Sequence, residues 1–285
     1  MNEIVPISTT EFAPALRARM KPLPGECHLA LPTAGGTNAM VEWRFDQKWA
    51  TMEILDIGDV QFGSRYCRMD KLLEHRNWVL ARPNRFMVWA GDMMEAYNWH
   101  TSPGSPYEQV ADPQSSLGAF CQFWAPARHR VLGYVSGNHE RRHMAYGDLG
   151  ITVSTLLGIP YALGRQHILV YFGEHKPFKI AVWHGVGSAR TRGAVVNLLE
   201  RQAQLDDSDL FIMGHLHQAN AIELTKQTID SENRTIKLNS QWAAMGSSFL
   251  DHYGSYADTA GYRPSQVKMP LAVLQRNGKW RLSLK

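Results

Sequence analysis

Residues 131–140 read VLGYVSGNHE. VLGYVS has the character of a buried strand, so GNHE (137–140) falls on the loop at that strand's C-terminal end, where open α/β sheets place their sites. Asn138 offers an amide oxygen, a hard ligand suited to divalent cations. His139 offers an imidazole able to donate a proton near neutral pH. Alone the tetrapeptide carries little weight, because Gly and Asn are common turn residues. Its meaning depends on what stands before and after it.

Upstream, TMEILDIGD (51–59) reads as a strand ending in acid, RMDKLLEHRNWVLA (68–81) has helical spacing, and RFMVWAGD (85–92) reads as a second buried strand. A polar, proline-containing loop (97–109) and a helix at about 114–126 lead into 131–136. This β-α-β-α-β order predicts a layered α/β fold with parallel strands. Downstream, 148–158 reads as a short helix ending at Gly158. HILVYFG (167–173) and FKIAVWHG (178–185) read as strands of a hairpin turning at GEHKP, 191–205 as a helix, and DLFIMGH (209–215) as another strand. AIELTKQ, RTIKLNS, PLAVLQ and KWRLSL continue as strands, the last two joined through Asn277-Gly278. The second half therefore reads as the more antiparallel. Residues 1–50, with five prolines and the TAGGTN cluster at 33–38, form an irregular N-terminal extension with a short helix around 10–20 and a strand near 39–45. Residues 51–285 form the main domain.

Five strand ends carry ligand-type residues in order: GDVQFG (58–63), GDMME (91–95), GNHE (137–140), WHG (183–185) and GHLH (214–217). One such end is usually a cap or a satisfied surface group; five in succession call for a common cause. If the strands are neighbours, their ends meet on one rim. There they would bring together carboxylates, an amide and several imidazoles, a mixture that suits hard-to-borderline cations.

The order GD, GDxxE, GNHE, HG, GHxH resembles the calcineurin-like metallophosphoesterase superfamily over about residues 51–240. The resemblance implies an α/β fold, a four-layer αββα sandwich with two mixed β-sheets, and two divalent metal ions, Mn²⁺ first with Fe, Zn²⁺ or Mg²⁺ as alternatives. Carried over by position, Asp59 is a ligand of metal one, Asp92 bridges, Asn138, His184 and His215 bind metal two, and His217 binds metal one. His139 is the non-ligand histidine that contacts phosphate or protonates the leaving group, and a hydroxide shared between the cations is the nucleophile. One position departs: Gln61 stands where the family's first motif places an imidazole. A rival register using Asp56 would put Gly58 there and lose the glycine match, so Asp59 is preferred.

The resemblance implies a metal-dependent phosphoesterase acting on a phosphate-ester substrate, a phosphodiesterase before a monoesterase. DNA cleavage, as in the double-strand-break repair nucleases of this superfamily, is the alternative, and a non-catalytic metal-site scaffold the third reading. Arg141, Arg142, His143 and Arg190 are candidate substrate contacts. Glu140 would orient His139 or form a structural ion pair. The loop aromatics Trp99 and Tyr107 would wall the site, and tyrosines 253, 256 and 262 would form a lid or a packed turn.

Composition sets the remaining limits. The chain has 285 residues, 44% hydrophobic, enough for a sizeable core. A net charge of +4 would not repel a phosphate, and is too small to argue for nucleic acid by itself. Three scattered cysteines point to reduced thiols in a cytoplasmic setting. No run of 18 apolar residues and no secretion signal is found, so no membrane span is expected.

Overall fold

The computed structural model describes residues 26–29, 39–45, 48–100, 102, 104–172 and 176–285. The helix expected around 10–20 and the GEHKP turn lie wholly or partly outside the described residues. Strands are β1 (Glu26–Leu29), β2 (Met40–Phe45), β3 (Thr51–Ile57), β4 (Arg85–Trp89), β5 (Val131–Val135), β6 (Tyr161–Ala162) and β7 (Gln166–Phe172). They continue as β8 (Phe178–Trp183), β9 (Leu210–Met213), β10 (Asn220–Asp230), β11 (Thr235–Met245), β12 (Pro270–Gln275) and β13 (Trp280–Leu284). The helices are α1 (Met69–Leu80), α2 (Pro113–Trp124), α3 (Leu149–Leu157), α4 (Arg192–Ala203) and the short α5 (Tyr256–Thr259).

Two sheets result. One runs β13-β12-β3-β4-β5-β6 and the other β1-β2-β7-β8-β9-β11-β10. In the first, β3, β4, β5 and β6 are mutually parallel. β4 and β5 are buried on both faces, which is why they read as unbroken apolar runs. The second half is the more antiparallel, with β7–β8, β10–β11, β12–β13 and β12–β3 pairing that way, but the second sheet itself is mixed. β2–β7, β8–β9 and β9–β11 pair in parallel, and β1–β2, β7–β8 and β10–β11 antiparallel. The helix between β8 and β9 is long enough to make that connection a crossover rather than a hairpin. Residues 40–45, read from sequence as part of the extension, form β2 inside this sheet with Trp43 fully buried. The last hairpin has Gly278 alone at positive φ, and Gln275 N–H donates to Lys279 carbonyl across three loop residues rather than two.

Three apolar layers hold the sandwich together. The first lies between the β3–β5 face and the helices, with Leu72 and Val79 of α1, Phe120 and Trp124 of α2, and Val153 and Leu157 of α3. The second lies between the sheets, where Ile54, Phe86, Val88 and Leu132 meet Trp43, Ile168, Val182 and Ile212. Trp43 crosses it, its indole N–H donating to the Leu132 carbonyl at 2.8 Å. The third packs Val195, Leu199 and Ala203 of α4 on Phe211, Met213 and Ala243. The order is helices, sheet, sheet, helix: the four-layer αββα sandwich. Helix ends follow local chemistry. Asp112 caps α2 ahead of Pro113, Asp148 caps α3, and Gly158 ends α3 at φ +65°.

Candidate metal centre

The five motif-bearing strand ends meet on one rim. β3, β4 and β5 are neighbours in one sheet and β8 and β9 in the other, so the loops after them face one another across the sandwich. Backbone bonds fasten the loops together. Asp59 N–H donates to Gly91 carbonyl and Gln61 N–H to Asp92 carbonyl, both at 2.9 Å, and Gly214 N–H donates to His184 carbonyl at 3.0 Å. The approach is close enough to exclude a side chain. A Cβ on Gly137 would lie 2.0 Å from Asp92 Oδ1, and one on Gly91 2.7 Å from His184 Nδ1.

The backbone is strained where the ligand-type residues sit. Seven non-glycine residues among those described have positive φ, and five of them are Asp59 (48°), Gln61 (53°), Asp92 (50°), His215 (75°) and His217 (56°). Each such conformation costs on the order of 1–3 kcal/mol and persists where surrounding structure enforces it.

Of the two candidate positions, the one expected for metal two is the better assembled. Asn138 Oδ1 lies 3.0 Å from His184 Nε2 and 2.9 Å from His215 Nδ1. Asp92 Oδ2 lies 3.2 Å from His184 Nε2. Ligand atoms of Asp92, His184 and His215 all fall within 4.8 Å of one another. The outward nitrogens have carbonyl partners, Ala90 O at 2.8 Å from His184 Nδ1 and Gly187 O at 3.0 Å from His215 Nε2. A carbonyl only accepts, so each outward nitrogen carries a proton, and the inward nitrogen is the one left to serve as a ligand once it is free of its own. Burial disfavours a charged His184, but the Asp92 carboxylate offsets this and pushes it up to about 9. A cation at Nε2 would therefore displace a proton. Burial alone would raise the Asp92 carboxyl; the imidazoles of His139 and His184 hold it well below the usual carboxylate range.

The first position gathers Asp59, His217 and Gln61. Asp59 Oδ1 is 3.3 Å from His217 Nε2, and Asp59 Oδ2 accepts from His215 N–H at 2.9 Å. Asp59 Oδ1 is buried without a hydrogen-bond partner, an acceptor that a cation would satisfy. Gln61 turns its nitrogen to this space: Nε2 lies 3.3 Å from His217 Nε2 and donates to Tyr256 Oη at 2.7 Å. Its oxygen, the atom a cation would need, is buried without a partner. Asp56, the rival of Asp59, lies within β3, buried, with neither carboxylate oxygen hydrogen-bonded. Burial, then the Asp59 charge, raises its pKa well above the ordinary value.

His139 is buried beside the cluster. Nε2 lies 3.5 Å from Asp92 Oδ2 and 2.6 Å from Arg142 Nη2, and Nδ1 lies 3.4 Å from Glu95 Oε2. Arg142 is tied to Glu95 Oε1 at 2.7 Å. Arg142 is thus brought to the centre, whereas Arg141 donates to the Gly137 carbonyl and His143 Nε2 meets the Tyr97 carbonyl. Arg190 stands further out, its guanidinium 3.9 Å above the Tyr262 ring.

Glu140 does neither of the things expected of it. Its carboxylate accepts backbone N–H groups from Asp92 (3.0 Å), Met93 (2.6 Å), Met94 (3.3 Å) and Gly137 (2.8 Å). Burial, then Asp92, raises its pKa, while four N–H donors favour the ionised form.

A cavity of about 120 Å³ opens onto the cluster, lined by Asp92, Asn138, His139, Arg142, His215, His217, Tyr256 and Tyr262. Of the three tyrosines read as a lid or a packed turn, Tyr256 and Tyr262 line this cavity, while Glu95 carries a part of the site that the sequence reading did not assign. Glu95 lay inside the quoted GDMME; the tyrosines lie 39 and 45 residues beyond His217 by numbering and no spacing links them to it. Trp99 and Tyr107 are 72% and 86% exposed and do not line the cavity.

Fold and rim together define a four-layer αββα sandwich with a candidate metal cluster at Asp92, His184 and His215. No protein-family model and no curated protein matches the sequence. Solved structures similar to it include a conserved uncharacterized protein, a predicted phosphoesterase, from Streptococcus pneumoniae (12% identity, 83% of this chain, 99% of that one, TM-score 0.35). Others are Vps29 of Chaetomium thermophilum (12% identity, 82% and 96%, TM-score 0.38) and the nuclease MPE of Pseudomonas putida (12% identity, 81% and 87%, TM-score 0.36). Among the described residues no helix is long and apolar enough to cross a membrane.

Proposed function

We propose that this chain is a phosphoesterase dependent on two divalent metal ions, a phosphodiesterase in the first place. The observation that carries this reading is the inward convergence of Asn138 Oδ1, His184 Nε2, His215 Nδ1 and Asp92 Oδ2, with both imidazole tautomers set from behind by carbonyls. The donor set fits a cation at this position. Asp59 and His217, together with Asp92, would hold a second, Mn²⁺ being the first choice at both. Bound cations supply Lewis acidity toward phosphoryl oxygens and activate water at neutral pH.

The chain's own residues do the rest. The Glu95 and Asp92 carboxylates flank the buried His139 imidazole at 3.4 and 3.5 Å, beside the cavity. There it stabilises negative charge or protonates the departing alkoxide, a role worth about 10²–10⁴ in rate. Arg142, anchored on Glu95, presents a guanidinium to the same space and pairs with a phosphoryl oxygen.

The test is turnover with added Mn²⁺ against an aryl monoester, an aryl diester, cyclic nucleotides, and single- and double-stranded DNA. Hydrolysis of the aryl diester, abolished by chelator and restored by Mn²⁺, is expected. Cleavage of DNA alone, with steep salt dependence, would replace this reading by the nuclease one. Two bound metals with no turnover of any substrate would leave the scaffold reading.

A further inference from the structure

The segment after β11 closes one side of the cavity, and it is built as a fixed wall. Phe249 N–H donates to the Asp59 carbonyl at 3.0 Å, Ser248 Oγ donates to the same carbonyl at 2.9 Å, and Asp251 N–H donates to the Tyr66 carbonyl at 2.7 Å. Ser255 caps α5, accepting from Ala257 N–H, and its own hydroxyl donates to the His252 carbonyl. Leu250, Tyr256 and Ala257 pack as a small buried cluster against Tyr66 and Tyr262. These anchors begin on the carbonyl of a candidate metal ligand, so the wall is referenced to the site itself.

Tyr256 is the one hydroxyl that this wall presents to the cavity from a buried position; Tyr256 is 6% exposed. Its oxygen accepts a hydrogen bond from Gln61 Nε2 at 2.7 Å. A phenol offers one proton and keeps it at neutral pH. With the acceptor side occupied by Gln61, that proton is left to donate elsewhere, and among the described residues Tyr256 Oη donates to no neighbour. Gln61 sits at φ +53°, a costly backbone state, with its amide oxygen unpartnered. That arrangement serves an amide nitrogen directed at the phenol better than an amide oxygen directed at a cation.

We propose that Tyr256 is a substrate-contacting catalytic residue, its phenolic O–H donating to a non-bridging oxygen of the phosphoryl group, with Gln61 as the positioning residue that sets the direction of that donation. This rests on the phosphoesterase reading and adds to it a donor from outside the metal-ligand motifs. Arg142 lines the same cavity, so the phosphoryl group would meet a cationic donor and a neutral one.

Tyr256→Phe removes the proton and keeps the ring, so the packing of the wall survives. With bis(4-nitrophenyl) phosphate and Mn²⁺, kcat/KM is expected to fall about 10- to 100-fold, the range for losing one donor to a charged oxygen. The inhibition constant for inorganic phosphate should rise by a comparable factor, and metal content by elemental analysis should match wild type. Tyr253→Phe, the same change at an exposed tyrosine on the same segment, should leave all three values alone. Unchanged turnover and unchanged phosphate inhibition in Tyr256→Phe would overturn the proposal, as would loss of bound metal, which would mark a structural role. Tyr256→Trp, which keeps bulk and an N–H donor at a different reach, provides a second variant if the phenylalanine protein is unstable; full wild-type kinetics there would also overturn it. A wild type that neither turns over an ester nor is inhibited by phosphate would remove the phosphoesterase reading and this one together, whereas an active wild type with an indifferent Tyr256→Phe removes this one alone.

Discussion

Glu140 Oε2 accepts the backbone N–H of Asp92 at 3.0 Å, so the fourth residue of GNHE fixes the loop that carries the second motif. Its other oxygen takes Met93 and Met94, and Oε2 also takes Gly137. One carboxylate therefore locks the turn after β4 to the turn after β5. Asp92 in turn accepts the His139 backbone N–H at 2.8 Å through Oδ1, leaving Oδ2 toward His184 and His139. Spacing between the two loops is set before any cation arrives.

Glu140→Gln should therefore be a severe change for an isosteric one. An amide has one accepting oxygen and turns an N–H₂ group toward backbone donors, stranding at least one buried N–H at about 1–3 kcal/mol. A drop in unfolding free energy of roughly 2 kcal/mol is expected by chemical denaturation, with weaker metal uptake by calorimetry. Wild-type stability would show that the four bonds are not acting together.

Asp92→Asn removes the carboxylate facing His184 Nε2 at 3.2 Å, the group shared between the two proposed positions. Loss of bound metal and of activity is expected together. Two metals per chain retained by elemental analysis would show that Asp92 does not serve both.

His139→Ala should leave metal content intact, because the imidazole faces Glu95 and Arg142 and is not needed for the Asn138, His184 and His215 cluster. Turnover is expected to fall about 10²-fold or more for esters with poor leaving groups, and less for nitrophenyl esters, which need little protonation. Equal losses for both would leave charge stabilisation and remove proton donation.

Much of this arrangement was legible in the chain because parallel strands announce themselves. β3, β4, β5, β8 and β9 are short apolar runs ending in Gly with Asp, Asn or His, and parallel neighbours must bring such ends to one rim. Two things were not legible. The pairing of β9 with β11, and of β2 with β7, depends on which strand docks beside which, and an apolar run names no partner. Tyr256 and Tyr262 were open between a lid and a packed turn, and what brings them to the cavity, residues 247–262 folding back onto the Asp59 carbonyl, is a long-range bond with no local pattern to predict it. Glu140 shows a third kind of limit. Its position was plain, yet four backbone donors converge on it only once two loops are side by side.

Away from the centre, His167 Nε2 meets Asp206 Oδ2 at 3.0 Å, beside Arg165. The Asp206 hydrogen bond raises the His167 pKa above its ordinary value, against partial burial. Burial would raise Asp206, but the bonds from His167 and Arg165 hold it below the ordinary value. A histidine pKa raised by folding gives stability that is full below the unfolded value, about 6.5, and is lost as pH rises through the folded value. A carboxylate held low gives stability that is present above about 3.9 and is lost as pH falls. The two windows overlap between those unfolded values, so the pair helps most near pH 5–6. The His167 side chain is 42% exposed, so the effect is discounted to under about 1 kcal/mol. Wild type should therefore exceed His167→Gln in unfolding free energy by more at pH 5.5 than at pH 8.5, with chelator present in both series so that the metal centre contributes equally. A gap that does not change with pH would mean that packing, rather than the charge on His167, holds this corner.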